Sequence, residues 1–304
     1  MSIERKQQRL IERYNEFLSD AETRTTERIN RALAASFNNL IKELRKEYPK
    51  VQGNDNLFPY QKKILLLAEM TKLLNLIKGE SYQKALEQLM LVSNRKGTSL
   101  AIELMNAIES DFARAVATIP LEAVRFAAEE QTRYLARHGE DFANKASSII
   151  EQGLIQGWGV RRVEKSLLEQ LGITKMRAQV ISRTASVSAG NAAMKQQYIK
   201  HGMDGWIWVA TPDNRVCPFC TARNGYAYDF KAIRPPIHPR CRCFTTPYKK
   251  DWVEKGLIDK EWYRNARKNT MTELSKGDGK PNYGPSPFER SDGLTKAPTP
   301  IWKP

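Results

Sequence analysis

All four cysteines of the chain lie in one short window, together with one of its three histidines. The window reads CPFC, then seventeen residues, then HPRCRC. Two ligands that stand two residues apart can hold a metal ion from a tight turn, and a second such pair about 15–20 residues later can complete a tetrahedron. The candidate ligands are Cys217, Cys220, His238, Cys241 and Cys243.

These five candidates compete for four places around one ion. The spacing favours Cys217, Cys220, His238 and Cys241, and the alternative replaces His238 or Cys241 with Cys243. Zinc suits a mixture of thiolates and imidazole because it is tetrahedral and redox-inert. A site closed by four protein ligands leaves no position for a substrate, so the pattern predicts structural zinc.

Two other interpretations of the cysteines are weaker. Disulfides are disfavoured because the charged start of the chain, MSIERKQQRLIERYNEF, does not resemble an export signal. Reduced cysteines that pack only as small hydrophobic residues do not account for a histidine at paired spacing.

A zinc-dependent nuclease or DNA-processing factor is the alternative function for this window. Zinc-knuckle nucleases need a histidine base and further ligands on the hairpin and helix, but His138 and His201 lie outside the window. The sequence also contains neither a phosphate-binding P-loop nor a dinucleotide-binding glycine motif. We therefore expect a protein without enzymatic activity.

Helical periodicity dominates the first two-thirds of the chain. It predicts a helix over 2–49, with a possible break at SDAETRTTER, and a loop over 48–59. It then predicts helices over 60–78, 80–94, 98–118 and 121–139. Beyond 141, three shorter helices should each end at a glycine: Gly157, Gly172 and Gly202.

The pattern changes at Gly205. GWIWVAT is typical of a strand, PDNR of a turn, and NGYAYDF of a second short strand after an Asn-Gly turn. The predicted fold is mainly α, with a small α+β zinc-knuckle unit built on a ββ hairpin and an extended, basic, Pro-rich tail. The predicted domains are a helical 1–140, a 141–250 domain with its knuckle at 205–248, and a short helix with the tail at 251–304.

A formal charge of +15 predicts a polyanionic partner, with nucleic acid first. About half of the excess lies in 231–304. Candidate contacts to DNA phosphates are Arg215, Arg223, Arg234, Arg240 and Arg242, and the alternative is that they pair with Asp213, Asp229 and other carboxylates. The longest apolar run, ILLLA, is too short to span a bilayer.

Five stretches in order carry a resemblance to a known family: LIQGWGVRRVEKSLLEQLG, RAQVISRTASVSAGNAAMKQQYIKHG, WIWVATPDNRVCPFC, NGYAYDF and PPIHPRCRC. Over about 145–248 the chain resembles the phage Mu F-like minor head proteins, also called head morphogenesis proteins. The most specific part is D-x-R-V-C-x-x-C followed by P-P-x-H-P-x-C-R-C. The resemblance implies a bacteriophage minor capsid protein that enters the procapsid with the portal and affects DNA packaging or ejection.

The resemblance also implies partners and a location. The partners would be the portal protein, non-specific double-stranded DNA, and possible major capsid or scaffold proteins, with no membrane. The location would be the virion, at the head interior or portal vertex, and the host cytoplasm during assembly.

Family positions carried over are the five ligands with Asp213, Arg215, Arg177 and Arg183. A glutamate is expected directly after Arg183 and Thr184, but the chain has Ala185, so no ion-pair role is carried over to that helix.

Overall fold

The structure is a computed structural model that describes residues 2–54, 56–58, 61–62, 81–110, 112, 144–213, 216–238, 240–276 and 299–304, without the side chains of 81–83 and 174. Several predictions therefore fall outside the described residues. They are the helix over 121–139, most of the helix over 60–78, the last part of the helix over 98–118, the tail over 281–298, His138 and Arg215. Within the described residues the helix predicted over 98–118 is too long, because it ends at Asn106.

Helices account for most of the described residues, which confirms the mainly α prediction. The helices are α1 (Ile3–Gln52), α2 (Ser81–Asn106), α3 (described over 144–155), α4 (Val160–Lys200), α5 (Pro218–Arg223), α6 (Lys250–Glu254) and α7 (Lys260–Lys276). The strands are β1 (Gly205–Val209), β2 (Ala227–Tyr228) and β3 (Phe244–Tyr248).

Three predicted helix breaks are wrong, because α1, α2 and α4 each run without interruption. The polar stretch at 19–28 lies inside α1, where Leu18 and Ile29 on either side of it are both buried. Likewise α4 continues through Gly172, since Leu171 and Ala178 keep the same buried stripe. Packing of an apolar face outweighs the cost of about 1 kcal/mol for one helical glycine. The predicted glycine stops at Gly157 and Gly202 are confirmed, with φ angles of 65° and 68°.

The chain divides into two compact units, and the division falls inside α1, α2 and α4. Unit 1 comprises the described residues of Met1–Glu22, Leu89–Val124 and Arg183–Pro304, and unit 2 those of Thr23–Gln88 and Arg125–Ser182. The division at 140 and 250 that we drew from the sequence remains a prediction.

Unit 2 is helical. Its core is an aliphatic and aromatic stripe that includes Ile29, Leu33, Phe37, Leu40, Leu44, Ile150, Val163 and Leu167. The hydroxyl of Tyr48 donates a hydrogen bond of 3.0 Å to the carbonyl of Trp158, which ties α1 to the loop between α3 and α4. The bidentate ion pair between Arg45 and Glu164 adds a second tie between α1 and α4.

Unit 1 contains an antiparallel sheet in the order β2-β1-β3. The predicted hairpin was therefore incomplete, because Phe244–Tyr248 pairs along the whole of β1. Sequence reasoning missed β3 since FTTPY contains Pro247, and proline disfavours a strand assignment. The sheet is buried on both faces: Trp206, Trp208 and Phe244 are each at most 1% exposed.

The end of the tail that the structure describes packs against the folded protein, although the tail was predicted to be extended. Residues 299–304 lie against the outer edge of β2, where Ala227 and Trp302 form an antiparallel bridge.

Helices α2 and α4 approach closely within unit 1. A Cβ placed on Gly97 would lie 2.6 Å from the carbonyl oxygen of Gly190, and one placed on Gly190 would collide with the Tyr14 hydroxyl. That hydroxyl donates to the carbonyl of Ser93 at 3.1 Å, so α1, α2 and α4 meet at this point. Residues 95–97, where we predicted a helix break, therefore lie at the point where α2 crosses α4.

We predict that Gly97→Ala lowers the free energy of unfolding by about 1–3 kcal/mol, because backbone must move to admit the methyl group. Gly172→Ala is the matched control: it lies inside α4 with nothing within 4 Å of its built Cβ. The control should raise stability by up to about 1 kcal/mol through helix propensity. Denaturant unfolding of both variants tests this, and equal effects would contradict the crossing.

Candidate metal centre

The first ligand pair lies at the start of α5. Cys217 is the N-cap residue, and its Sγ accepts a hydrogen bond of 3.3 Å from the backbone N–H of Cys220. Pro218 follows at the first helical position, where its missing N–H costs nothing. The CPFC spacing predicted a tight turn here, and the structure has a short helix instead.

The second group of ligands lies at the end of the long connection between β2 and β3. His238 and Cys241 are joined by a tight turn in which the Cys241 N–H donates to the His238 carbonyl at 3.3 Å. Arg240 within that turn has a φ of 58°, a left-handed conformation that is uncommon for any residue but glycine. Cys243 directly precedes β3.

The donor atoms are spaced as ligands of one ion would be. His238 Nε2 lies 3.3 Å from the Sγ atoms of both Cys217 and Cys220, and Cys220 Sγ lies 3.9 Å from Cys241 Sγ. Around a tetrahedral zinc, with bonds of about 2.3 Å to sulfur and 2.0 Å to nitrogen, neighbouring donors stand roughly 3.5–3.8 Å apart. The cluster could therefore hold a metal ion.

The five candidates form two groups that share Cys220. Cys217, Cys220 and His238 make one group, and Cys220, Cys241 and Cys243 make the other, with donor atoms within 4.8 Å of one another in each. All five residues are buried, and all four cysteines are free of disulfides. The structure thus brings every sequence-predicted ligand together, while the choice of four among five remains a prediction.

The cluster carries charge in the absence of metal. Hydrogen bonding to Cys220, and then to His238, lowers the pKa of Cys217 to about 4. Burial lowers the pKa of His238, but the neighbouring Cys217 and Cys241 outweigh it and raise that pKa to about 10. An incoming metal ion must therefore displace the imidazole proton, so metal affinity falls as the pH is lowered.

Neighbouring elements hold the ligand loop in place. Asn191 on α4 donates to the carbonyl of Cys243 at 3.1 Å, and Thr211 after β1 donates to the carbonyl of Arg242 at 2.8 Å. The Arg242 guanidinium also forms an ion pair with Asp213. These contacts connect the loop to α4 and to the segment after β1.

The predicted DNA-contacting arginines lie in different environments. Arg223 is only 4% exposed, donates to the carbonyl of Phe219 at 2.9 Å and stands over the Trp208 ring. Arg234 donates to the carbonyls of Ser188 and Pro235.

Of the other three, Arg242 makes the pair with Asp213 that we kept as the alternative. Arg240 is half-buried in the ligand turn, and Arg215 lies outside the described residues. DNA contact by this set remains a prediction.

The structure contains one largely buried ion pair that the sequence did not predict. Arg183 on α4 forms a largely buried ion pair of 2.7 Å with Glu22 on α1, and the Ser186 hydroxyl also donates to Glu22. Burial raises the pKa of Glu22, although Arg183 and Ser186 oppose that shift. The helix therefore has an ion pair although Ala185 stands where the family pattern has a glutamate. The partner glutamate comes from the stretch of α1 in which a helix break was predicted.

Cys220 belongs to both ligand groups, so we predict that Cys220→Ser loses bound metal whichever four residues are ligands. His238→Ala should also lose metal where the favoured set of Cys217, Cys220, His238 and Cys241 holds the ion, whereas His201→Ala, which removes the other described histidine, should retain it. Elemental analysis of the purified variants measures the metal, and circular dichroism measures the fold.

The metal-depleted variants should also lose thermal stability, because the binding energy of a structural zinc, on the order of 10 kcal/mol, contributes to folding. Full metal content in Cys220→Ser would contradict the assignment of the centre.

Comparison with protein families supports the resemblance. Residues 144–246 match the family described as Phage Mu protein F like protein. No curated protein and no solved structure matches the chain. No helix within the described residues is long and apolar enough to cross a bilayer.

The matched segment runs from α3 into β3 and contains all five candidate ligands. The match supports a phage head protein, associated with other head components in the virion. Residues 144–246, about a third of the chain, are thus similar to the phage Mu protein F-like family.

Proposed function

We propose that this protein is a minor head protein that enters the procapsid with the portal and affects the packaging or ejection of DNA. The observation that carries the proposal is the family match over 144–246, because it coincides with the part of the chain that builds the cysteine–histidine cluster. Outside the match, the described helices α1, α2 and α7 offer long surfaces for contacts with other head proteins.

The proposed role of the metal is structural. All five candidate ligands are buried, and four of them suffice to close a tetrahedron. An ion held in this way has no open position at which to bind and activate water, as a nuclease requires. We therefore propose a non-enzymatic protein whose zinc stabilises the connection between β2 and β3.

In this proposal the protein contacts the phosphates of the DNA backbone and does not recognise the base sequence. Lys260, Arg264 and Lys268 stand four residues apart on α7, and all three are exposed. Like charges at this spacing repel one another slightly, so an anion along this face would stabilise the helix. We call these three residues the basic stripe. The basic stripe and the net charge of +15 both support a role in which this protein contacts DNA.

The first test is quantitative mass spectrometry of purified virions, empty procapsids and soluble lysate from the source phage. We expect the chain in procapsids and virions at a few copies per portal, since a minor component enters before DNA is packaged. Presence in the soluble fraction alone would remove the virion role. Metal-dependent cleavage of duplex DNA, lost in His238→Ala while the fold is kept, would favour the nuclease instead.

The second test compares two triple variants that remove the same charge. The first replaces the basic stripe with alanine. The control replaces Lys250, Lys255 and Lys276, which pair with Glu254, Asp251 and Glu273. Each phosphate contact contributes about 0.9 to the slope of log affinity against log salt, so the stripe variant should lose up to about 3 from this slope. Equal losses in both variants would show that net charge alone attracts DNA.

A further inference from the structure

The outer edge of β2 is occupied by a distant part of the same chain. Twenty-two residues, 277–298, lie outside the described part between α7 and the 299–304 segment. The Ala227 N–H donates to the carbonyl of Trp302 at 3.0 Å, and the Ile301 N–H donates to the carbonyl of Ala227 at 2.9 Å. The segment therefore satisfies both backbone groups that Ala227 presents on this edge.

Three tyrosines form a cradle for the side chains of the segment. The Trp302 ring lies 5.8 Å from the Tyr248 ring and 6.0 Å, edge to face, from the Tyr263 ring. The Lys303 ammonium stands 5.6 Å from the Tyr226 ring. Aromatic pairs of this kind stabilise a contact beyond the area that they bury.

Glycine and proline residues in the sequence also affect how the segment packs and pairs with β2. A Cβ on Gly205 would collide with the carbonyl oxygen of Tyr228 and lie 3.0 Å from Cδ1 of Ile301, so glycine at this position admits both the β2 backbone and the isoleucine. Pro300 and Pro304 lie within the segment and lack an N–H, which limits the hydrogen-bonded ladder around Ile301 and Trp302. Pairing is thus restricted to one short register.

Addition of an extended strand to a sheet edge, with aromatic pockets for alternate side chains, is a common mode of peptide recognition. We propose that the outer edge of β2, together with Tyr226, Tyr248 and Tyr263, is a peptide-docking groove that accepts the 299–304 segment of a second copy of this chain. This inference does not depend on the proposed function.

The length of chain between α7 and the segment supports a second copy as the occupant. Twenty-two residues can span roughly 70 Å when extended, which exceeds the size of a small domain. A segment from a neighbouring copy makes the same contacts as the chain's own. The chain's own segment competes through its effective concentration, which for tethered binding partners reaches about the millimolar range. Exchange therefore becomes favourable where copies are gathered at that concentration.

The experiment uses the full chain with Trp302→Ala, which removes the anchor of the segment and leaves the groove intact. Its probe is a labelled synthetic peptide of residues 299–304, TPIWKP, and the control peptide is TPIAKP. We expect the variant to bind TPIWKP roughly tenfold more tightly than the wild type does, because the wild-type segment competes for the same groove. No binding to the variant up to about 2 mM, or equal binding of TPIAKP, would overturn the groove.

Mixing two full-length variants then identifies the occupant. Trp302→Ala supplies an open groove, and Ala227→Pro keeps the segment but removes the N–H to which it binds. Native mass spectrometry should show association in the mixture and not in either variant alone. Peptide binding without association of the mixed chains would overturn the second copy as occupant and indicate a peptide from another protein. Circular dichroism of Ala227→Pro shows that the donor is folded.

Discussion

The described part of the connection between β2 and β3 has no helix or strand of its own, yet it carries three of the five candidate ligands, all of them buried. A buried connection without regular structure leaves backbone polar groups that need partners. Asn191 and Thr211 satisfy two of its carbonyls, and the cysteine–histidine cluster joins it to α5. The packing of this part of the protein therefore depends on the cluster.

The sheet and helix around the cluster depend on one another as well. Tyr198 on α4 donates to the carbonyl of Thr245 in β3 at 3.0 Å, which fixes the helix against the sheet. Trp206 and Trp208 on β1 fill the space between the sheet and its neighbours and are almost fully buried. The segment matched to the phage Mu protein F-like family thus includes the ligands and much of the scaffold that brings them together.

Features encoded within a few residues could be predicted from the sequence. The spacing of CPFC and HPRCRC predicted a ligand cluster drawn from five candidate residues, and Gly157 and Gly202 predicted helix ends. Features that depend on distant contacts could not be predicted in the same way. The ion pair of Arg183 joins residues 161 positions apart, and the continuity of α4 through Gly172 depends on a buried face that local propensity does not reveal.

X-ray absorption spectroscopy of the metal in the purified full-length protein tests the central claim, that the cluster is a closed structural site, most directly. The account predicts one zinc per chain with only sulfur and nitrogen neighbours, three or four sulfurs near 2.3 Å with at most one nitrogen near 2.0 Å. An oxygen neighbour from bound water would reveal an open coordination position. That result would contradict a purely structural centre and make hydrolysis of DNA the reaction to examine.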